Sequence, residues 1–242
     1  MQPQVSFVSA QRPTPSAQRP PPSACEPQDW LAPALRICHH ISMPLEDMPA
    51  LLIVDVQNDF CPGGALPVRE GDQVVPVLRQ LAARFAALGL PVYASRDWHP
   101  PDSTHFAANG GEWPVHCVQG TEGARLREDL SLPRSTMIVT KGQRVHDQGY
   151  SAIVGEVAGR GSLLEDLHAR GVGHLYVGGL ATDYCVRHTV LDALQQGFGV
   201  TVLTDAIRPV DVSPGDGARA LDAMRAAGAT LAPASTVFDG EE

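Results

Sequence analysis

The sequence has no long apolar run: its longest are short stretches such as ALLIV at 50–54, far below the roughly 20 residues that span a bilayer. No membrane partner is therefore expected. It has little positive charge. The 18 Lys and Arg residues are scattered and the formal net charge is −9, so nothing resembles the basic stripe that neutralises a phosphate backbone, and nucleic acid is excluded as a partner. No CxxC pair occurs. Five cysteines, Cys25, Cys38, Cys61, Cys117 and Cys185, are too irregular in spacing and odd in number for a disulfide framework, which points to a reducing, cytoplasmic compartment. The start of the chain lacks the basic, apolar and small-residue segments of a secretory signal. NDFCPGG after the first apolar run is not the G-x-G-x-x-G of a dinucleotide site. GYSAI at 149–153 lacks the second glycine of a serine-hydrolase elbow.

What is present divides the chain in two. Residues 1–47 are rich in Pro, Gln and Ser, with neither a strand nor a helix period; such a segment buries too little to offset its ordering entropy and is expected to be disordered. Residues 48–242 alternate strand and helix signals. Strands are expected at ALLIV, PVYAS, TMIVT, HLYVGGL, GVTVLT and near Thr230. Helices are expected over about Gln73–Leu88, Leu163–Ala169, Tyr184–Gln196 and Ala218–Ala227. Several strands are continuous apolar runs, as burial on both faces requires. The expectation is one α/β domain, a doubly wound, mainly parallel six-stranded sheet with helices on both faces. Ligands in such folds sit beyond the carboxyl ends of the strands.

Reactive residues collect at those ends. Asp55 ends the first strand in LLIVDVQNDF, Lys141 ends the third in TMIVTKG, and Cys185 follows a strand in VGGLATDYCVRHTV. A thiol attacks as thiolate, and a helix N-terminus or an ammonium lowers its pKa. Cys185 is expected to benefit from both, with Asp55 taking the thiol proton and returning it to a departing amine. Taken singly, each has a structural explanation: a helix cap, a solvated strand end, a small buried side chain. Their common placement favours chemistry. The loop ASRDWHPPDSTHFAANGGEWPVHCVQG adds Asp97, His99, His105 and His116, one carboxylate and three imidazoles suited to a zinc, manganese or ferrous ion. Cys117 is an alternative ligand to His116. His188, three residues after Cys185, could form a Cys–His dyad, and His146 is expected in solvent.

DVQNDFCPGGALPV, the D-x-H with two later histidines, WPVHCVQGT, TKG and GLATDYCV together resemble the nicotinamidases of the isochorismatase-like hydrolase superfamily, from about Pro49 to Val237. The resemblance implies a triad of Asp55, Lys141 and Cys185, and an oxyanion hole from the N–H groups of Ala181 and Cys185 with a cis peptide between Leu180 and Ala181. It also implies a metal on Asp97, His99 and His116, with His105 at the position of a fourth ligand. Phe60 and Trp113 match aromatic residues that hold a pyridine ring, and Tyr150 lies near another lining position. The implied reaction converts nicotinamide to nicotinic acid and ammonia through a thioester, in NAD salvage. Association of identical copies is left open. The chain departs from the pattern in its N-terminal arm, in a shorter spacing from His105 to His116 and in the polar segment GQRVHDQGYSAI. Competing readings are a sibling hydrolase of carbamoyl, ureido or other small amides and a metal-binding protein without catalysis.

Overall fold

The computed structural model describes residues 48–238. The expectation made for residues 1–47 lies outside them. Strand β1 (Met48–Val54) is followed by helix α1 (Val74–Ala87), β2 (Val92–Asp97), β3 (Met137–Lys141) and two short strands, β4 (Glu156–Val157) and β5 (Gly161–Ser162). Helix α2 (Leu163–Ala169), β6 (Val172–Leu180), α3 (Arg187–Gln195), β7 (Gly199–Arg208), α4 (Asp216–Ala226) and β8 (Thr230–Ala232) complete the order. The sheet runs β5-β4-β3-β2-β1-β6-β7-β8. It has eight strands where six were expected. The six expected strands are the parallel ones, and β4 and β5 add antiparallel pairs at the β3 edge. Two-residue strands containing Glu156 and Gly161 carry no apolar run to announce them.

Alternation along β1 explains the two cores. Ala50, Leu52 and Val54 face one side with Leu163 and Leu167 of α2, Val190 and Ala193 of α3 and Met224 of α4. Leu51 and Ile53 face the other with Leu78, Leu81 and Phe85 of α1. Because side chains alternate across a strand, residues buried on both faces need helices on both. α2 starts on a capping box: Ser162 Oγ accepts from the Glu165 N–H while the Glu165 carboxylate accepts from the Ser162 N–H. No helix among the described residues is long and apolar enough to cross a membrane.

The strand order places the site. From β1 the chain builds outward through β2 and β3, then returns to place β6 on the other side of β1. The order reverses between β1 and β6, and a crevice opens at such a switch point. Gly179 makes the β1–β6 approach feasible: it lies at φ +126°, and a Cβ there would meet the Val54 carbonyl oxygen at 2.0 Å. The third helix begins later than expected. Thr182–Val186 forms a π-type turn ahead of Arg187, so Cys185 sits in a local widening of the helix entrance.

Candidate active site

Asp55, Lys141 and Cys185 meet at the switch point, all buried. Asp97 and Lys141 are direct partners in the β2–β3 register, which brings Lys141 Nζ to 2.6 Å from Asp97 Oδ1. The same ammonium lies 2.6 Å from Asp55 Oδ2 and 3.6 Å from Cys185 Sγ, and it donates to the Gly149 carbonyl. Asp55 adopts a left-handed backbone, φ 49°, uncommon for a residue with a side chain. Its Oδ1 accepts from Ser95 Oγ at 2.7 Å, and its N–H reaches the same hydroxyl at 3.3 Å. Ser95 is a holding residue that the sequence reading missed, because forty residues separate it from its partner.

Electrostatics here differ from expectation. Cys185 was expected to have a lowered thiol pKa. Instead its pKa stands well above the ordinary value: burial dominates, and the Asp55 and Asp97 carboxylates oppose the help given by Lys141. A positive charge shared between two carboxylates has little left to offer a thiolate. Burial pushes Asp55 up to about 6 despite Lys141, with Asp97 adding to the rise. Burial alone would lower Lys141, but Asp55 and Asp97 outweigh it and hold the ammonium well above its usual range. Asp97 is buried too, yet Lys141 and then His99 bring its carboxyl well below the usual range. The resting state is thus a thiol beside a carboxylate whose proton affinity is raised toward neutrality.

The loop histidines converge as well. One ring nitrogen from each of His99, His105 and His116 lies within 4.8 Å of the others, and all three rings are buried. Neither nitrogen of His99 has a hydrogen-bond partner. His116 Nδ1 lies 2.7 Å from the Pro114 carbonyl, which fixes Nδ1 as the donor and leaves Nε2 with a free lone pair. His99 Nε2 is 3.7 Å from Asp97 Oδ2. Buried imidazoles with uncommitted lone pairs suit a divalent cation. Burial lowers the pKa of His105 to about 4 and lowers that of His116, so both are neutral, as ligands must be. Cys117 does not join this cluster among the described residues; it is buried, and its thiol pKa is raised by burial and by Asp97. Asp55, Asp97 and Cys185 also converge within 4.8 Å, but the Lys141 ammonium already occupies the space between the carboxylates.

Supporting residues explain why the loop folds this way. Gln57 uses its whole amide: Nε2 donates to the carbonyls of Asp97 and Ala124, and Oε1 accepts from the Asp97 N–H, each at 2.8 Å. Asp59 Oδ2 accepts from the Cys117 N–H at 2.7 Å, holding a residue of φ 45° so that the adjacent His116 turns inward. Gly142, at φ +68°, leaves room for His99, since a Cβ there would stand 2.6 Å from the ring.

A cleft opens at Cys185. Phe60, Trp113 and Tyr150 line it, together with Leu66, Tyr184 and Val210, which the sequence reading had not singled out. Asp97, His105 and His116 form one end and Ala181 and Cys185 the floor. The peptide between Leu180 and Ala181 is cis. His188 does not serve as a dyad partner here: its ring stacks on Tyr150, centroids 5.0 Å apart. His146 is exposed.

Fold and site together define the class, an α/β amide hydrolase. The isochorismatase domain model matches residues 49–236. The chain is 43% identical over 209 residues to the nicotinamidase of Escherichia coli strain K12, covering 80% of this chain and 97% of that protein. The solved pyrazinamidase of Pyrococcus horikoshii in complex with zinc is similar at 40% identity and a TM-score of 0.69, over 76% of this chain and 98% of that one. PnC1 from L. infantum in complex with nicotinate matches at 33% identity and a TM-score of 0.67, over 78% of this chain and 94% of the other. The chain belongs to the isochorismatase family.

Proposed function

We propose that the chain hydrolyses nicotinamide to nicotinate and ammonia through a thioester on Cys185. The observation that carries this reading is the placement of Cys185 Sγ 3.6 Å from Lys141 Nζ, in an aromatic-walled cleft that Asp97, His105 and His116 also line. Asp55 takes the thiol proton as Sγ attacks the carboxamide carbon, and Lys141 stabilises the thiolate as it forms. The N–H groups of Ala181 and Cys185 receive the developing oxyanion. Asp55 then returns the proton to the amide nitrogen, the C–N bond breaks and ammonia leaves. In the second half Asp55 takes a proton from water, whose oxygen attacks the thioester. The C–S bond breaks, the carboxylate departs and Cys185 regains its proton. A raised Asp55 pKa, about 6, suits a group that must both accept and donate near neutrality.

Asp97, His99 and His116, with His105 as a fourth residue, would hold a divalent ion of the zinc, manganese or iron type. Such an ion, when bound, supplies a Lewis acid to anchor the ring nitrogen. Phe60 and Trp113 provide flat apolar walls for the ring, and Tyr150 presents a polar edge. Free thiols at the described cysteines Cys61, Cys117 and Cys185 accord with a cytoplasmic enzyme of pyridine-nucleotide salvage. The histidine cluster favours a pyridine carboxamide over the carbamoyl and ureido substrates of a sibling enzyme. Ammonia release from nicotinamide by the purified protein tests the reading, with Cys185→Ala as the control. Wild type should turn over and the variant should not; a variant rate comparable with wild type would overturn the thioester route.

A further inference from the structure

Tyr150 has an unusual set of neighbours for a pocket residue. It lines the substrate cleft on one side and a second, polar groove on the other, which His188 and Ser151 also line. Its hydroxyl accepts a hydrogen bond from Trp113 Nε1 at 3.0 Å. Its ring lies nearly parallel to His188, at 5.0 Å between centroids and 17° between planes. Tyr150 is the lining residue that the two cavities share, tied at its tip to the indole and stacked on an imidazole. Trp113 is set in turn against Tyr184, edge on, at 4.7 Å, and near His105 at 6.4 Å. Nothing else described in the chain anchors the Tyr150 hydroxyl.

The residue behind the ring belongs to a rigid element. His188 is the second residue of α3, three positions after Cys185 on the chain, so its Cα is fixed by the same helix that follows the nucleophile turn. Tyr150 belongs to irregular backbone. A loop residue docked on a helix residue takes its position from the helix. The tryptophan that walls the substrate cleft is hydrogen-bonded to this docked residue.

From this geometry we infer that His188 is a positioning residue for substrate: it holds Tyr150 so that the Tyr150 hydroxyl orients the Trp113 indole along the face of a planar heteroaromatic carboxamide. His188 does not touch the substrate and takes no proton in the reaction. The inference deepens the reading of the cleft given above and rests on it for the identity of the substrate, while the His188–Tyr150–Trp113 arrangement stands on geometry alone. An aromatic side chain at 188 preserves the stack; an aliphatic one removes it.

The test uses wild type, His188→Ala and His188→Phe, each read in two ways. The first reading is kinetic, with nicotinamide as substrate. Losing a ring-on-ring contact should raise KM by about fivefold in His188→Ala with kcat within about twofold, and His188→Phe should restore most of that loss. The second is the indole N–H resonance of Trp113, assigned through Trp113→Phe on protein carrying ¹⁵N-labelled tryptophan. In His188→Ala this resonance should shift upfield as its hydrogen bond to Tyr150 loosens, with the resonance of Trp98 unmoved, and in His188→Phe it should stay in place. The proposal is overturned if the Trp113 resonance ignores the loss of His188, if His188→Phe restores neither readout, or if kcat falls while KM holds. Should wild type release no ammonia from nicotinamide, the substrate reading fails, and the indole shift still decides the His188–Tyr150–Trp113 arrangement by itself.

Discussion

Replacing Lys141 with methionine keeps the length of the side chain and removes the charge that two buried carboxylates share. The ammonium lies 2.6 Å from an oxygen of Asp55 and 2.6 Å from an oxygen of Asp97, and its side chain is 2% exposed. Removing one partner of a buried ion pair costs about 3–5 kcal/mol, because the remaining charge keeps its desolvation penalty. In a domain of this size each kcal/mol moves Tm by about 2–4 °C, so a fall of about 6–20 °C is expected near pH 8. The pH dependence gives the result its diagnostic value. Asp55 in the folded chain already titrates at about 6, above its ordinary 3.8, and Lys141 is the largest influence holding it down. Without the ammonium its folded value rises further, and Asp97 loses its main restraint too. A carboxyl whose folded pKa exceeds its unfolded one binds its proton more tightly when folded. Its contribution is favourable below the unfolded value and is lost as pH rises through the folded value. The Tm deficit of Lys141→Met should therefore be large at pH 8 and much smaller at pH 5. Thermal unfolding followed by circular dichroism, with a chelator present throughout, measures both. Equal deficits at the two pH values, or a deficit worth under about 1 kcal/mol at pH 8, would refute the picture of a buried, charge-sharing centre.

Chelation should raise KM for nicotinamide more than it lowers kcat and leave the alkylation rate of Cys185 by iodoacetamide unchanged, since neutral histidines and not the thiol face the candidate ion; loss of alkylation on chelation would place the ion in thiolate formation. The profile of kcat/KM should fall with unit slope below about pH 6, the value at which Asp55 titrates. An acid limb centred near pH 4 would mean that the essential base is an ordinary exposed carboxyl.

Much of this centre could be read along the chain because it hangs on strand ends. Asp55, Lys141 and Cys185 each follow an apolar run, and a parallel sheet aligns such ends on one rim. The histidines were legible by type and crowding. What escaped depends on contacts between distant segments. Ser95 and Gln57 are ordinary strand-end and loop residues until β2 is laid beside β1, and Asp59 matters only once the Cys117 turn comes back to it. Tyr184 looked like the first residue of a helix and instead lies in the π-type turn that precedes Arg187. The error over the Cys185 thiol has the same origin. The helix entrance and the lysine were visible in sequence, but the burial of the thiol and the two carboxylates converging on one ammonium were not; burial raises the thiol pKa most, and the carboxylates add to the rise. His188 was read by its distance from Cys185 along the helix, while its true neighbour, Tyr150, comes from a loop.

The burial of Lys141 has a consequence for how the molecule meets reagents that acylate amines. It is the only lysine among the 242 residues, and its ε-amino group, on a side chain 2% exposed, is held by two carboxylates. Activated esters, acetylating agents and amine cross-linkers find no lysine on the folded surface, and any attachment that requires a lysine must wait for the centre to open. Uptake of a single acyl group at position 141, read by mass, then counts molecules whose centre has come apart, with no substrate in the tube.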